Sequence, residues 1–530
     1  MHTQKHLIPT LSAFLAAIVI LRVIFSWLLP VTLDEAYYQS WSMFPDWGYF
    51  DHPPFISWLL FLSQPGGPPL LARLPSLILS VLAIPLTLSL GGMWGLTKVQ
   101  RMVACIILQG SLFGLVFGLI PTPDVPLCFF WLLALHEAGA ALKIDKRRWI
   151  TAGIATGLGI LGKYTMFTIG FAFLVPILLN KSQRRSPWPY LGGLACLITI
   201  LPHLAWNNNN DWVTFKFQFN RGLVNSHNIG DESVFHSPLP TLNPDHSGKF
   251  SQELSRYFKE GLEPKKPKKE KSPWQKFQRR VSEFWGAQLG LFGALIPLLF
   301  FLRRRPSREG FNTNITRLLQ GATWVPIGIF GFVALFQKVE ANWTAPFLFS
   351  ASLLIANYCY NKTKLVILGS IVNLTALAFI VITASHGDSL NLPLKKGRAL
   401  QETHGFRQLA DATDASLPLY AETYQITSIM TYYRGKSVSQ WPGLTRHSEW
   451  TRRRAMTSHS FADLNKIGSF QLITHRVDAP SIKGFHATNM KEIRNCYPEI
   501  VVTEAWSTKR FTPPCGKPLF TWYLTSYQKD

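Results

Sequence analysis

The sequence predicts an all-α polytopic membrane protein of about eleven transmembrane helices, followed by a small C-terminal mixed α/β soluble domain. Three observations lead there. Hydrophobic residues supply 47% of the 530 positions and charged residues only 16%, well below the quarter usual in soluble domains. The charges are bunched, which leaves long runs with almost none. Lysine and arginine outnumber aspartate and glutamate by 53 to 30, a formal net charge of +23, and the excess sits in short clusters between apolar blocks. Membrane topology is written in that way. The pattern excludes a soluble enzyme, a disordered chain and a disulfide scaffold, and it points away from nucleic acid as a partner.

An apolar run of roughly 18–22 residues crosses a bilayer as a helix. Such runs lie at about 8–30, 69–93, 99–120, 124–142, 149–162, 165–180, 188–206, 284–302, 316–336, 343–360 and 363–384. The fifth and sixth are the shortest and share one 32-residue stretch. The first lacks a small-residue cleavage site and reads as an anchor rather than a signal peptide.

The basic clusters test this count. They include Lys5, then Lys98 and Arg101, then Lys143, Lys146, Arg147 and Arg148, then Lys181, Arg184 and Arg185. Arg303, Arg304, Arg305 and Arg308 follow the eighth run, and Lys362 and Lys364 the tenth. Every second short loop is basic, as cytoplasmic loops are, so the N-terminus is expected inside. A transmembrane domain then covers 1–384, with outer loops at 31–68 and 207–283, and a soluble domain on the outer side covers 385–530.

The one basic run on the outer side, Lys265 to Lys271, reads as solvated or facing lipid headgroups. Val213 to Phe219 alternates with period two yet is also partly amphipathic, so helix and strand both remain open there. Cys105, Cys128, Cys196 and Cys359 lie in apolar spans and read as small core residues. Cys496 and Cys515 are the only pair in the outer tail, and an oxidising compartment would permit a disulfide between them.

The unusual polar residues fall on the outer side. Asp34 and Glu35 precede Tyr37 and Tyr38, and a Gly48-Tyr49-Phe50-Asp51-His52-Pro53-Pro54 turn follows. Arg73 lies near the start of the second run, Asp124 at the mouth of the fourth, and Lys163 and Tyr164 between the fifth and sixth. Lys338, Glu340 and Asn342 join the ninth to the tenth. Ionisable groups at membrane depth are costly and mark sites. Both signs gathered at one face suit an anionic, polar substrate at the bilayer surface. Each residue also has a plainer reading. Asp34 and Asp124 suit helix caps, Lys163 can snorkel, Arg73 can anchor at the interface, and Lys338 and Glu340 can pair with each other. Asp34, Asp51, His52 and Asp124 offer oxygen and nitrogen ligands to a divalent cation, but without the spacing of a metal motif, so no cofactor is required.

The combination of the Asp-Glu-aromatic loop and GYFDHPP strongly resembles polyprenyl-phosphate-sugar-dependent glycosyltransferases of the GT-C fold. Within them it is similar to the bacterial branch related to protein O-mannosyltransferases and lipid A aminoarabinose transferases. The resemblance extends through Pro123 to Leu127, Gly162 to Thr165, Pro202 to Asn207 and Glu340 to Pro346. It implies an inverting transfer from a lipid-phosphate sugar on the outer side of a bacterial inner membrane. Asp34 matches the family's essential first-loop aspartate, the general base, and Asp124 its second functional aspartate. Lys163 matches a family lysine beside the leaving phosphate, with Arg73 and His52 behind it, while Asp51 and His52 would shape the donor site. The implied acceptor is lipid A or another envelope glycolipid, with protein Ser/Thr hydroxyls as the alternative. A lipid-linked-sugar transporter is the contrasting class. It would show paired repeats and charges near mid-span, whereas here the charges cluster at one face and no repeat is visible.

Overall fold

The computed structural model describes residues 2–63, 68–223, 272–303, 310–390, 398–441, 444–453, 456, 466–475, 479, 482, 484–497, 499–504 and 518–530. Each of the eleven apolar runs is helical. Seven helical stretches are individually long and apolar enough to cross a membrane, among them Leu7–Leu28, Pro69–Trp94, Asp124–Lys143 and Thr313–Phe336. The shorter runs form the helices Trp149–Gly162 and Thr168–Leu179.

Two runs expected as unbroken spans are interrupted. The third divides into Lys98–Gly110 and Leu112–Val116. At the joint Ser111 leaves the helical conformation, and its hydroxyl accepts from Gly114 N to start a new turn. The buried Arg22 secures the break by donating to the Gly114 carbonyl at 2.7 Å and to Gln109 Oε1 at 2.8 Å. The eighth run changes from the α-helix Pro273–Phe292 to a 3-10 stretch, Gly293–Arg303, at Gly293, whose φ of +58° favours glycine. Asn373 holds this joint, accepting from Ala294 N and donating to the carbonyls of Phe292 and Gly110.

Val213 to Phe219 resolves as helix, within Val213–Leu223. Asp211 and Trp212, both at positive φ, make the turn that separates it from the helix Trp188–Asn209. The basic run Lys265 to Lys271 lies outside the described residues.

The C-terminal domain is mixed α/β, as expected. Its strands are β1 (Leu419–Ala421), β2 (Ser439–Gln440), β3 (Ser469–Thr474), β4 (Phe485–Asn495), β5 (Ile500–Glu504) and β6 (Phe520–Lys529). They form one sheet in the order β2-β1-β3-β6-β4-β5. The β1–β2 and β1–β3 pairs are parallel and the others antiparallel.

This domain shares its core with the membrane domain's first outer loop. Val31 and Ala36 are buried with Leu409, Ile426, Ile429 and Trp522. Tyr37, Tyr38, Trp41 and Tyr49 are buried with Trp450 and Met456. The loop and the soluble domain therefore lie at the same end of the bundle. At the opposite end of the helix Asp124–Lys143, Lys143 Nζ donates to the Met93 carbonyl and Arg148 pairs with Glu137.

Candidate active site at the outer face

The first outer loop builds the site from a short helix, Leu33–Ser42. Its start is fixed by a reciprocal cap. The Thr32 hydroxyl accepts from Glu35 N, and the Glu35 carboxylate accepts from Thr32 N, both at 3.3 Å. Thr32 therefore fills the capping role that Asp34 could have taken, and Asp34 stands exposed on the first turn.

Tyr38, one turn along from Asp34, is buried. Burial raises its pKa well above the ordinary tyrosine value, and the charges of Asp34, Asp51 and Asp124, together with Tyr424, push the same way. Three acidic residues from separate parts of the sequence thus act on one phenol.

Each of the other two carboxylates is held at both oxygens. Asp124, the first residue of its helix, accepts from Lys163 Nζ at 2.8 Å and from Asn342 Nδ2 at 2.8 Å. Lys163 is buried, so it does not snorkel to the headgroups. Asp51 accepts from the Tyr37 hydroxyl and, at 2.6 Å, from Arg446 of the C-terminal domain. Burial works to lower the Arg446 pKa, but the Asp51 charge with Tyr424 and Tyr37 outweighs it and leaves the pKa raised. His52 lies beside this pair, its ring 6.2 Å from Tyr38 and its Nδ1 3.4 Å from Gln218 Nε2.

The soluble domain is stitched down around this point. Glu449, fully buried, accepts from Phe50 N at 2.7 Å and pairs with Arg452 and Arg453, and its own N–H donates to the Tyr37 hydroxyl. Arg453 reaches back to Asp46 at 2.7 Å, and Arg452 donates to Asn210 at 2.9 Å.

The outline of the whole chain matches solved structures of ArnT from Cupriavidus metallidurans. The apo form aligns with a TM-score of 0.58 at 12% identity, over 97% of both chains. The form bound to undecaprenyl phosphate aligns at 0.56 and 13%, again over 97% of both. The chain has the GT-C fold.

Residues 51–206 of this GT-C-fold membrane protein also match the family model described as dolichyl-phosphate-mannose-protein mannosyltransferase. A curated relative is the lipopolysaccharide core galacturonosyltransferase RgtA of Rhizobium johnstonii, 25% identical over 232 residues. That match spans 38% of this chain and 42% of the relative's length.

Several residues expected at the site are engaged with other partners. Glu35 and Arg73 are fully buried and bind each other at 2.6 and 2.8 Å. Arg73 also donates to the carbonyls of Ser26, Leu29 and Pro30. Its donors are spent on tying the end of the first helix to the loop helix, which leaves none for a phosphate. Both residues are a structural clamp. Lys338 and Glu340 pair with each other at 3.0 Å on the surface. Tyr164 turns to a neighbouring cluster, donating or accepting at His203 Nε2 at 2.7 Å and stacking on Phe215.

Among the described residues, no group of three or more His, Cys, Asp or Glu is arranged to hold a metal ion. The oxygens of Asp51 and Asp124 are already engaged as described. Cys496 is disulfide-bonded, and Cys515, its expected partner, lies outside the described residues. Arg446, Tyr424 and Glu449 were missed by sequence reasoning. They sit in the tail, where no local motif ties them to the outer loop. Tyr37 and Tyr38 carried a visible signal, as aromatic residues beside an acidic pair, but the interfacial belt explained them equally well.

Proposed function

We propose that this chain is an inverting glycosyltransferase that moves a sugar from a polyprenyl-phosphate donor to an acceptor hydroxyl at the outer face of a bacterial inner membrane. The observation that carries the reading is the set of outer-face carboxylates, with Asp34 on the loop helix, Asp124 held by Lys163 and Asn342, and Asp51 held by Arg446. In this reading Asp34 takes the proton of the acceptor hydroxyl as its oxygen bonds to the anomeric carbon. The bond from that carbon to the phosphate oxygen breaks, and its electron pair leaves with the polyprenyl phosphate. A hydroxyl is a poor nucleophile at neutral pH, and a positioned carboxylate base contributes about 10²–10⁴-fold. Asp34 suits this role because it is exposed at the outer face, whereas Glu35 is buried against Arg73.

Asp124, fixed by Lys163 and Asn342, orients the acceptor or the sugar. Asp51 and His52 shape the donor side. An envelope glycolipid is the first choice of acceptor, in keeping with the relative that acts on a lipopolysaccharide core. Protein hydroxyls are the alternative, and the matched family model's description keeps them in view.

The test is mass spectrometry of envelope lipids and glycoproteins from a deletion strain complemented with wild type or Asp34→Asn. The expected result is one sugar lost from one acceptor, restored by wild type and not by the variant. Unchanged glycans, with a lipid-linked sugar accumulating on the inner leaflet, would replace the transferase reading with transport.

A further inference from the structure

A departing polyprenyl phosphate develops negative charge and needs cationic donors on its side of the breaking bond. The cations at the outer face differ in what they have left to give. Arg73 has nothing, because its donors end on Glu35 and three carbonyls. Lys163 gives one of its three donors to Asp124, and only 8% of its side chain is exposed. Arg446 is different. Its Nη1 donates to Asp51 at 2.6 Å and to the His447 carbonyl at 3.0 Å, and a further bond joins it to Tyr424. A guanidinium carries five N–H donors, so about two are left over among the described residues, and 22% of the side chain is exposed.

Its orientation is also fixed. The Cζ atom lies 4.1 Å from the Tyr424 ring centroid and 5.0 Å from that of Phe217. Asp51, its partner, is held in turn by Tyr37. A planar fork stacked on aromatic rings, with donors to spare, is suited to bind a phosphate through two parallel bonds. The Asp51-His52 turn on one side and Tyr424, whose ring lies 4.5 Å from that of Tyr37, on the other place that fork against the helix that carries Asp34.

We infer that Arg446 of the C-terminal domain is a phosphate-binding residue of the donor site, so that the soluble domain completes a site the membrane domain begins. This rests on the donor reading above. It assigns to the soluble domain a share in recognising the lipid phosphate, beyond covering the first outer loop.

The test uses the full chain in nanodiscs, titrated separately with undecaprenyl phosphate and inorganic phosphate, for wild type, Arg446→Lys, Arg446→Gln and the double variant Asp51→Asn/Arg446→Gln. Thermal unfolding is followed in parallel. Arg446→Gln should weaken undecaprenyl phosphate binding by at least about tenfold, the scale of a charged hydrogen bond, and Arg446→Lys should recover part of it. The double variant removes both members of the ion pair. It should regain thermal stability without regaining the lipid phosphate. If the double variant regains both, Arg446 is only a structural partner of Asp51 and the inference falls. If wild type binds undecaprenyl phosphate and Arg446→Gln binds it equally, the inference falls while the donor reading stands. If wild type takes up inorganic phosphate but not the lipid, or neither, the donor reading and this assignment fall together.

Discussion

Replacing Arg73 with methionine should unfold the outer face without touching the site's affinity for its donor. The side chain is fully buried, and its five hydrogen bonds end on two Glu35 oxygens and the carbonyls of Ser26, Leu29 and Pro30. Methionine fills similar space but strands the Glu35 carboxylate in an interior position. Breaking a buried ion pair from one side costs about 3–5 kcal/mol. At about 1.4 kcal/mol per decade, this lowers the ratio of folded to unfolded protein by roughly 10² to 4 × 10³-fold. The assay is thermal unfolding in detergent, together with undecaprenyl phosphate affinity for the fraction that stays folded. Arg73→Met should melt well below wild type. The double variant Glu35→Gln/Arg73→Met should recover much of the loss, because no uncompensated charge remains. Affinity should be unchanged throughout. An Arg73→Met protein as stable as wild type that has lost lipid-phosphate affinity would refute the clamp and restore Arg73 to the donor site.

Other expectations are narrower. Asp34→Asn keeps the shape of the first helical turn and should lower turnover by about 10²–10⁴-fold, with undecaprenyl phosphate affinity unchanged by titration. Asn342→Ala leaves one Asp124 oxygen without its 2.8 Å donor. An unmade bond to a part-buried carboxylate is worth about 1–3 kcal/mol at most, so steady-state kinetics should show a loss of roughly 5–150-fold in kcat/KM. Lys338→Ala breaks an exposed pair worth about 0–1 kcal/mol, and both melting temperature and kinetics should match wild type.

The helical core was legible because its signal is local. Each apolar run is long, and each basic cluster alternates with the next, so all eleven runs appear as helix. What the sequence hid was where helices break. Ser111 and Gly293 look unremarkable inside apolar runs, and only Arg22 and Asn373, distant in sequence, show why the chain turns there.

The site divides in the same way. Asp124, Lys163 and Asn342 were each singled out, and the fold brings them into contact. Glu35 and Arg73 were singled out for the same reason, as charges near the membrane. Their engagement with each other and with a helix end depends on packing that no spacing reveals. Arg446 and Glu449 stand in a polar tail where charge is ordinary. Their meaning comes only from docking onto Asp51 and Phe50, roughly 400 positions earlier.

The central claim is group transfer from a lipid-phosphate donor, and one measurement meets it directly. Proteoliposomes holding the purified full chain are supplied with phosphorus-labelled polyprenyl-phosphate sugars extracted from the bacterial envelope, together with envelope glycolipid as acceptor. The account predicts one labelled polyprenyl phosphate released per sugar transferred, an inverted anomeric linkage in the product, and neither with Asp34→Asn. Labelled donor that crosses the bilayer intact, with no polyprenyl phosphate released, would contradict it.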